Sequence, residues 1–168
     1  MTGLRIEELT RIHAVESFDC GDPALTHFLT RFALTSQQSN SAATYVALAD
    51  DAVIGFYSLV VSEVRYEGAP ERLTKGIAHH PVPLMLLARL AVQQGWQGRG
   101  IGAGLLKDAM RRTLQAASIA GIRALAAHAK DERARAFYQH FDFTLSPTDP
   151  LHQFLLIKDL RRAAGMPS

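Results

Sequence analysis

The stretch between residues 84 and 120 constrains this chain most. Leu84 to Val92 is an apolar run broken only by Arg89, as expected of a strand covered on both faces. Gln93 to Gly100 is a glycine-rich turn. Beyond it, Ile101, Leu105, Ala109, Met110 and Leu114 recur at helical spacing, with Lys107, Asp108, Arg111 and Arg112 on the other side. This pattern predicts a helix from about Ile101 to Ala120, ended by Gly121 in the left-handed conformation. Ile122 to Ala127 reads as the next strand, and the right-handed crossover rule makes it the parallel neighbour of Leu84–Val92.

The flanking segments extend the pattern. Leu4 to Leu9 predicts an opening strand. Asp22-Pro23 is a helix start, because Asp caps and Pro suits the first turn. Leu25, Phe28, Leu29 and Phe32 follow as its apolar face, and Ser36 to Ser41 is a polar break. Thr44 to Ala49 and Val53 to Val61 are strand-like around the turn pair Asp50-Asp51. Glu67 to Pro83, with three prolines, reads as loop or short helix. Asp131 caps a helix reaching about His140, and Phe143–Leu145 and Gln153–Ile157 close the sheet, leaving Arg161-Arg162 in a frayed tail. The expected fold class is α/β (α+β), with a mixed, twisted central sheet of six to seven strands flanked by helices.

A chain of 168 residues is expected to form a single domain, 1–168, able to bury its own core. Cys20 is the only cysteine, which rules out an internal disulfide and suits a reducing cytosol. The start, Met1-Thr2-Gly3-Leu4-Arg5, lacks the apolar run of a signal peptide. No apolar stretch approaches the roughly 18 residues of a membrane span. A cytoplasmic protein is therefore expected. The net charge of +2 tolerates a phosphate-bearing partner without arguing for one.

The turn itself carries chemistry. In Gln97-Gly98-Arg99-Gly100-Ile101-Gly102, glycines let the backbone approach a ligand and adopt positive φ. The helix start adds unpaired N–H groups and the positive end of a dipole, an anion site fit for a pyrophosphate. Arg99 could add a charge-assisted contact. The plainer alternative is a turn whose glycines only let a helix pack tightly on a strand. Gly98, Gly100 and Ala103 also satisfy the loose dinucleotide pattern G-x-G-x-x-G/A. That fold needs an acidic residue about 20 positions later to hold the ribose, and Arg123 to His128 offers none. A Walker loop is excluded, since no Gly-Lys-Ser/Thr follows at the required spacing.

Arg89-Leu90-Ala91-Val92 followed by Gln97-Gly98-Arg99-Gly100-Ile101-Gly102 resembles the acetyl-CoA motif of the GNAT superfamily, Q/R-x-x-G-x-G/A after the central strand. Arg133-Ala134-Arg135-Ala136-Phe137-Tyr138 resembles the A-x-x-F-Y segment that closes the same site. Ser17-Phe18-Asp19-Cys20-Gly21-Asp22-Pro23 with Leu25 and Phe28-Leu29, and Val53-Ile54-Gly55-Phe56-Tyr57-Ser58-Leu59, are similar to segments of a narrower group, the TacT-like GNAT toxins of bacterial toxin–antitoxin modules. The resemblance covers nearly the whole chain. It implies that the backbone of Leu90, Ala91 and Val92 pairs with the pantetheine arm of acetyl-CoA, that Gln97, Gly98, Arg99, Gly100, Ile101 and Gly102 hold its pyrophosphate, and that Tyr138 donates a proton to the departing thiolate. It further implies an aminoacyl-tRNA substrate acetylated on its α-amine, a ribbon-helix-helix antitoxin as partner, and a possible homodimer. Where many relatives have Gly-Phe, this chain has Asp142-Phe143.

Other residues are weighed on their chemistry. Arg89 and Arg135, with Arg99 and Arg133, could meet tRNA phosphate or form a solvated charged face. Glu63, His79, His80 and His128 are candidate bases. An aminoacyl ester needs little base, because its α-amine starts near a pKa of about 7.7 against about 10.4 for lysine. Cys20 is expected to be a small buried residue, and His79-His80 is no metal pair, because adjacent side chains diverge; no metal is expected. Three functions compete: an acetyltransferase toxin acting on charged tRNA, a housekeeping GNAT acting on a small-molecule or protein amine, and a non-catalytic CoA-binding module. The Phe18–Gly21 opening favours the first over the second, and Tyr138 favours either enzyme over the third.

Overall fold

A computed structural model describes residues 4–163, so the termini, including Met1 to Gly3 of the expected leaderless start, lie outside the described residues. The strands are β1 (Leu4–Glu8), β2 (Ala43–Ala49), β3 (Ala52–Val64), β4 (Val82–Val92), β5 (Ala124–His128), β6 (Thr144–Leu145) and β7 (His152–Leu156). The α-helices are α1 (Pro23–His27), α2 (Ala33–Gln38), α3 (Glu71–Thr74), α4 (Ile101–Ala117), α5 (Glu132–His140) and α6 (Ile157–Ala163). The sheet has seven strands in the order β1-β2-β3-β4-β5-β7-β6. Its β4–β5 pair is parallel, from Leu84 opposite Ala124 to Leu87 opposite Ala127, as the crossover rule requires. Its β1–β2, β2–β3, β5–β7 and β6–β7 pairs are antiparallel.

The chain divides into two compact units: Met1–Val60 with Ala88–Ala109, and Val61–Leu87 with Met110–Ser168. The first has its own apolar core, in which Phe18, Phe28, Leu29, Val46 and Phe56 are buried with Ala91. Phe56 takes Phe18 edge-on at 5.6 Å and Phe28 stacked at 6.2 Å. Asp22 caps α1 by accepting from Ala24 N–H at 3.0 Å and Leu25 N–H at 3.3 Å, with Pro23 in the first turn. A π turn over Phe28–Phe32 then inserts an extra residue into the helical repeat. That shift leaves Phe32 53% exposed and brings the next residue, Ala33, to full burial, contrary to the simple helical spacing.

Asp108 is a second departure. It was expected to face outward, yet it is buried, because the Tyr57 hydroxyl donates to its Oδ2 at 2.6 Å. A buried carboxylate is tolerable when such donors hold it. Tyr57→Phe removes this donor and is expected to lower unfolding free energy by about 1–3 kcal/mol, read from urea denaturation. At Gly55 an added Cβ would lie 3.0 Å from Leu105 Cδ1 and 3.1 Å from the Ala91 carbonyl oxygen, so only glycine lets α4 approach the sheet there.

The second unit packs Leu73, Val82, Leu84, Ala124, Ala126, Phe154 and Leu156 together. Arg123 secures the α3 end, donating from Nε to the Leu73 carbonyl at 2.9 Å and from Nη2 to the Lys75 carbonyl at 3.0 Å. The tail expected to fray is helical, for Arg161 and Arg162 lie in α6, and Asp159 in its first turn makes a two-pronged pair with Arg72 at 2.9 and 3.1 Å. Helix α4 ends at Ala117 and not at Ala120. Ser118 Oγ donates to the Gln115 carbonyl at 2.7 Å there, and Gly121 is not among the residues with positive φ. Asp142 has φ +68, the left-handed conformation that the glycine of a Gly-Phe pair would supply.

Candidate active site

The glycine turn is anchored at its start within the first unit. Gln93 N–H donates to the Ile54 carbonyl at 2.8 Å, and Trp96 N–H to the Gln93 carbonyl at 3.0 Å. Gly98 and Gly100 have φ of +79° and +81°. An added Cβ at either would meet nothing within 4 Å. Tight packing of helix on strand requires close contact, which neither Gly98 nor Gly100 has. The packing glycine is Gly55. What Gly98 and Gly100 supply is the backbone conformation and clear access to the peptide groups.

The turn delivers those groups to the start of a 17-residue helix. Gly104 N–H is bonded to the Gly100 carbonyl at 3.1 Å. The N–H groups of Ile101, Gly102 and Ala103 precede it and have no carbonyl within the helix to bond. With the positive end of the helix dipole beside exposed Gly98 and Gly100, the cradle fits a diphosphate. The Arg99 guanidinium lies over the Trp96 ring at 5.0 Å, which holds a cation beside the turn.

Upstream on β4, Leu90 and Val92 are half-buried and Ala91 is buried. The Val92 carbonyl accepts from the Gln97 side-chain amide at 2.9 Å. Arg89 is half-buried with its guanidinium 3.6 Å from the centre of the Phe28 ring, and burial lowers its pKa from the ordinary value. The contact supports a cation where water is scarce.

Tyr138 lies in the second unit on α5, whose start Asp131 caps by accepting from Ala134 N–H at 2.9 Å. The tyrosine is 8% exposed, edge-on to Phe137 and tilted against Phe143, both at 5.3 Å. No group among the described residues accepts its hydroxyl proton. Burial pushes its pKa up from 10.0 to about 12. The fold thus favours the neutral phenol. Stability linked to it is fully present below pH 10 and is lost as pH rises toward 12. The loss is expected to reach about 2–3 kcal/mol, and Tyr138→Phe should flatten it in urea melts taken across that range. Arg135, on the same helix, contacts Glu132 at 3.3 Å, and its Nε is buried with no partner among the described residues.

The candidate bases fall in the second unit. Glu63, His79 and His80 line a cavity of about 750 Å³ with Tyr66, Asp149 and His152. His79 Nε2 lies 3.1 Å from Glu67 Oε1, with its ring 4.2 Å from that of Tyr66. His128 stands opposite His152 in the β5–β7 ladder, with the rings stacked at 5.2 Å, and lies 3.4 Å from Asp149. Burial, then the neighbouring His128, lowers the His152 pKa, so this imidazole stays neutral. Strand register brings His152 and Asp149 to His128, and only the pairing of Ile122–Ala127 with Gln153–Ile157 could have signalled it. Donor atoms of these three residues lie within 4.8 Å of one another. Cys20 is buried, its sulfur 3.3 Å from Thr26 Oγ1, a structural environment as expected.

Residues 40–145 match the family described as "Acetyltransferase (GNAT) domain". The chain belongs to the GNAT acetyltransferase family. It is 46% identical over 151 residues to a protein of Mycobacterium tuberculosis (strain ATCC 25618 / H37Rv) named "tRNA-acetylating toxin", covering 90% of each chain. Its fold is similar to that of AtaT complexed with acetyl-methionyl-tRNAfMet, with a TM-score of 0.89 and 28% identity over 96% of this chain and 99% of that one. It is also similar to a tyrosine-to-phenylalanine mutant of AtaT bound to the C-terminus of the antitoxin AtaR and acetyl-CoA. There the TM-score is 0.80 and the identity 27%, over 96% of this chain and 98% of that one. Among the described residues no helix is long and apolar enough to cross a membrane.

Proposed function

We propose that this chain works as one catalytic domain that moves an acetyl group from acetyl-CoA to the α-amine of aminoacyl-tRNA, and so acts as a toxin against translation. The observation that carries the reading is the glycine turn. Its Gly98 and Gly100 are exposed, and it leads into a helix whose first N–H groups have no carbonyl within the helix to bond. Gly98, Arg99, Gly100, Ile101 and Gly102, with the backbone of Gln97, bind the diphosphate, and the backbone of Leu90, Ala91 and Val92 aligns the pantetheine arm. The bound cosubstrate supplies an activated acetyl thioester. The acceptor nitrogen forms the new C–N bond as the C–S bond breaks; the nitrogen releases a proton to solvent, Tyr138 donates its O–H to the departing sulfur, and the phenol regains its proton from solvent.

Arg89 and Arg135 contact the tRNA backbone in this reading. The structural neighbours support an antitoxin partner. We assign it the ribbon-helix-helix class, with a homodimeric toxin acting in the cytoplasm, where charged tRNA is found. The identity with a tRNA-acetylating toxin favours this substrate over a small-molecule or protein amine. Mass spectrometry of charged tRNA treated with the protein and acetyl-CoA tests it. The expected product is tRNA carrying an N-acetylated aminoacyl group; transfer to small amines or protein amines alone would refute the tRNA assignment.

A further inference from the structure

The opening segment Phe18–Gly21 and the glycine turn lie 74 to 77 positions apart in the chain and are stitched together by three hydrogen bonds. Asp19 N–H donates to Gln93 Oε1 at 2.9 Å. Gln94 N–H donates to the Asp19 carbonyl at 2.9 Å. Gln97 Nε2 donates to the Cys20 carbonyl at 2.9 Å and to the Val92 carbonyl, also at 2.9 Å. Both N–H groups of one amide are therefore committed, one to the end of β4 and one to the opening segment. That segment is stiff. Phe18 and Cys20 are buried, Gly21 N–H donates to Asp19 Oδ1 at 2.9 Å, and Cys20 N–H donates to Thr26 Oγ1 at 3.1 Å.

We infer that Gln97 is a positioning residue of the acetyl-CoA loop, and that the Phe18–Gly21 segment is the frame against which it sets the loop. The side chain does not grip the diphosphate, because its donors are occupied by Cys20 and Val92; its amide fixes where the Gly98 and Gly100 peptides stand. This rests on the loop being the acetyl-CoA site. The partners are two carbonyl oxygens, so the position demands a pure donor. Glutamine and arginine, the two residues the motif allows here, both provide N–H groups, whereas a carboxylate would face two acceptors and be repelled.

The test uses the full chain, with acetyl-CoA affinity from calorimetry and kcat and KM from steady-state transfer. Gln97→Ala is expected to weaken acetyl-CoA binding and raise its KM about tenfold, with kcat at saturation within about threefold. Gln97→Glu should be worse, and its binding defect should narrow as pH falls toward about 4, where the introduced carboxyl takes up a proton and regains one donor. Gln97→Arg should restore affinity to within about threefold of wild type. Gly21→Ala, strained at φ +88°, should reproduce a milder KM effect from the frame side, and it decides the matter if Gln97→Ala does not fold. Unchanged acetyl-CoA affinity in Gln97→Ala and Gln97→Glu would overturn the inference, as would Gln97→Arg binding no better than Gln97→Glu. Gly100→Val separates the two levels. If it too leaves affinity unchanged, the loop is not the acetyl-CoA site; if it abolishes binding while the Gln97 variants bind normally, only the positioning role fails.

Discussion

Tyr138→Phe is expected to lower kcat by about 10²- to 10⁴-fold while acetyl-CoA affinity stays within about twofold. The substitution removes one oxygen from a ring packed between Phe137 and Phe143, so the aromatic cluster survives and the fold with it. In the proposed reaction the hydroxyl matters because a sulfur anion forms as the acyl group leaves. Burial holds the phenol near a pKa of about 12, well above the roughly 8.5 of a simple thiol. Tyr138 therefore carries its proton throughout the neutral range. A phenol this weak gives a charge-assisted hydrogen bond to the sulfur before it gives up the proton. The corresponding signature is a pH–kcat profile with no alkaline limb from Tyr138 below about pH 10. A variant retaining more than a tenth of wild-type kcat would remove Tyr138 from the chemistry and leave it a core aromatic.

Gly100→Val is expected to weaken acetyl-CoA binding by about 10²- to 10³-fold, measured by calorimetry. At φ +81° a β-branched residue is a steric outlier, so the turn must reorganise. In the proposed site the N–H groups lose their alignment on a charged diphosphate, each such bond contributing about 1.5–3 kcal/mol; two lost contacts at the lower end of that span account for the range. The damage should be confined to the ligand. A Cβ added at Gly100 meets nothing within 4 Å, so the substitution is aimed at the turn's backbone and not at the packing of α4. Gly121→Ala is the matched control, since Gly121 also faces open space but has an ordinary φ, and its binding should equal wild type. Equal affinity in Gly100→Val and wild type would show that the diphosphate is held elsewhere.

Much of this molecule was written locally in the chain. The apolar run of β4, the glycine turn and the amphipathic stripe of α4 could be read without a structure, because each depends on residues within a few positions of one another. Asp22 and Asp131 announced their helices for the same reason: a cap and the N–H groups it satisfies are sequence neighbours. β-Branched and aromatic residues around Asp50-Asp51 marked the hairpin, and the crossover rule made β4 and β5 parallel neighbours.

What only the tertiary structure decided depends on partners distant in sequence. Asp108 looked like a surface charge until Tyr57, 51 positions earlier, supplied its donor. The π turn moved Phe32 outward and Ala33 inward, because one added backbone residue rotates everything after it. The His128–His152 pair required the β5–β7 register, and the link from Phe18–Gly21 to Gln97 required the fold itself. Sequence patterns carry the periodicity of backbone and burial. Which donor meets which acceptor across 50 or more residues is set only when the chain closes on itself, since no local spacing encodes that encounter.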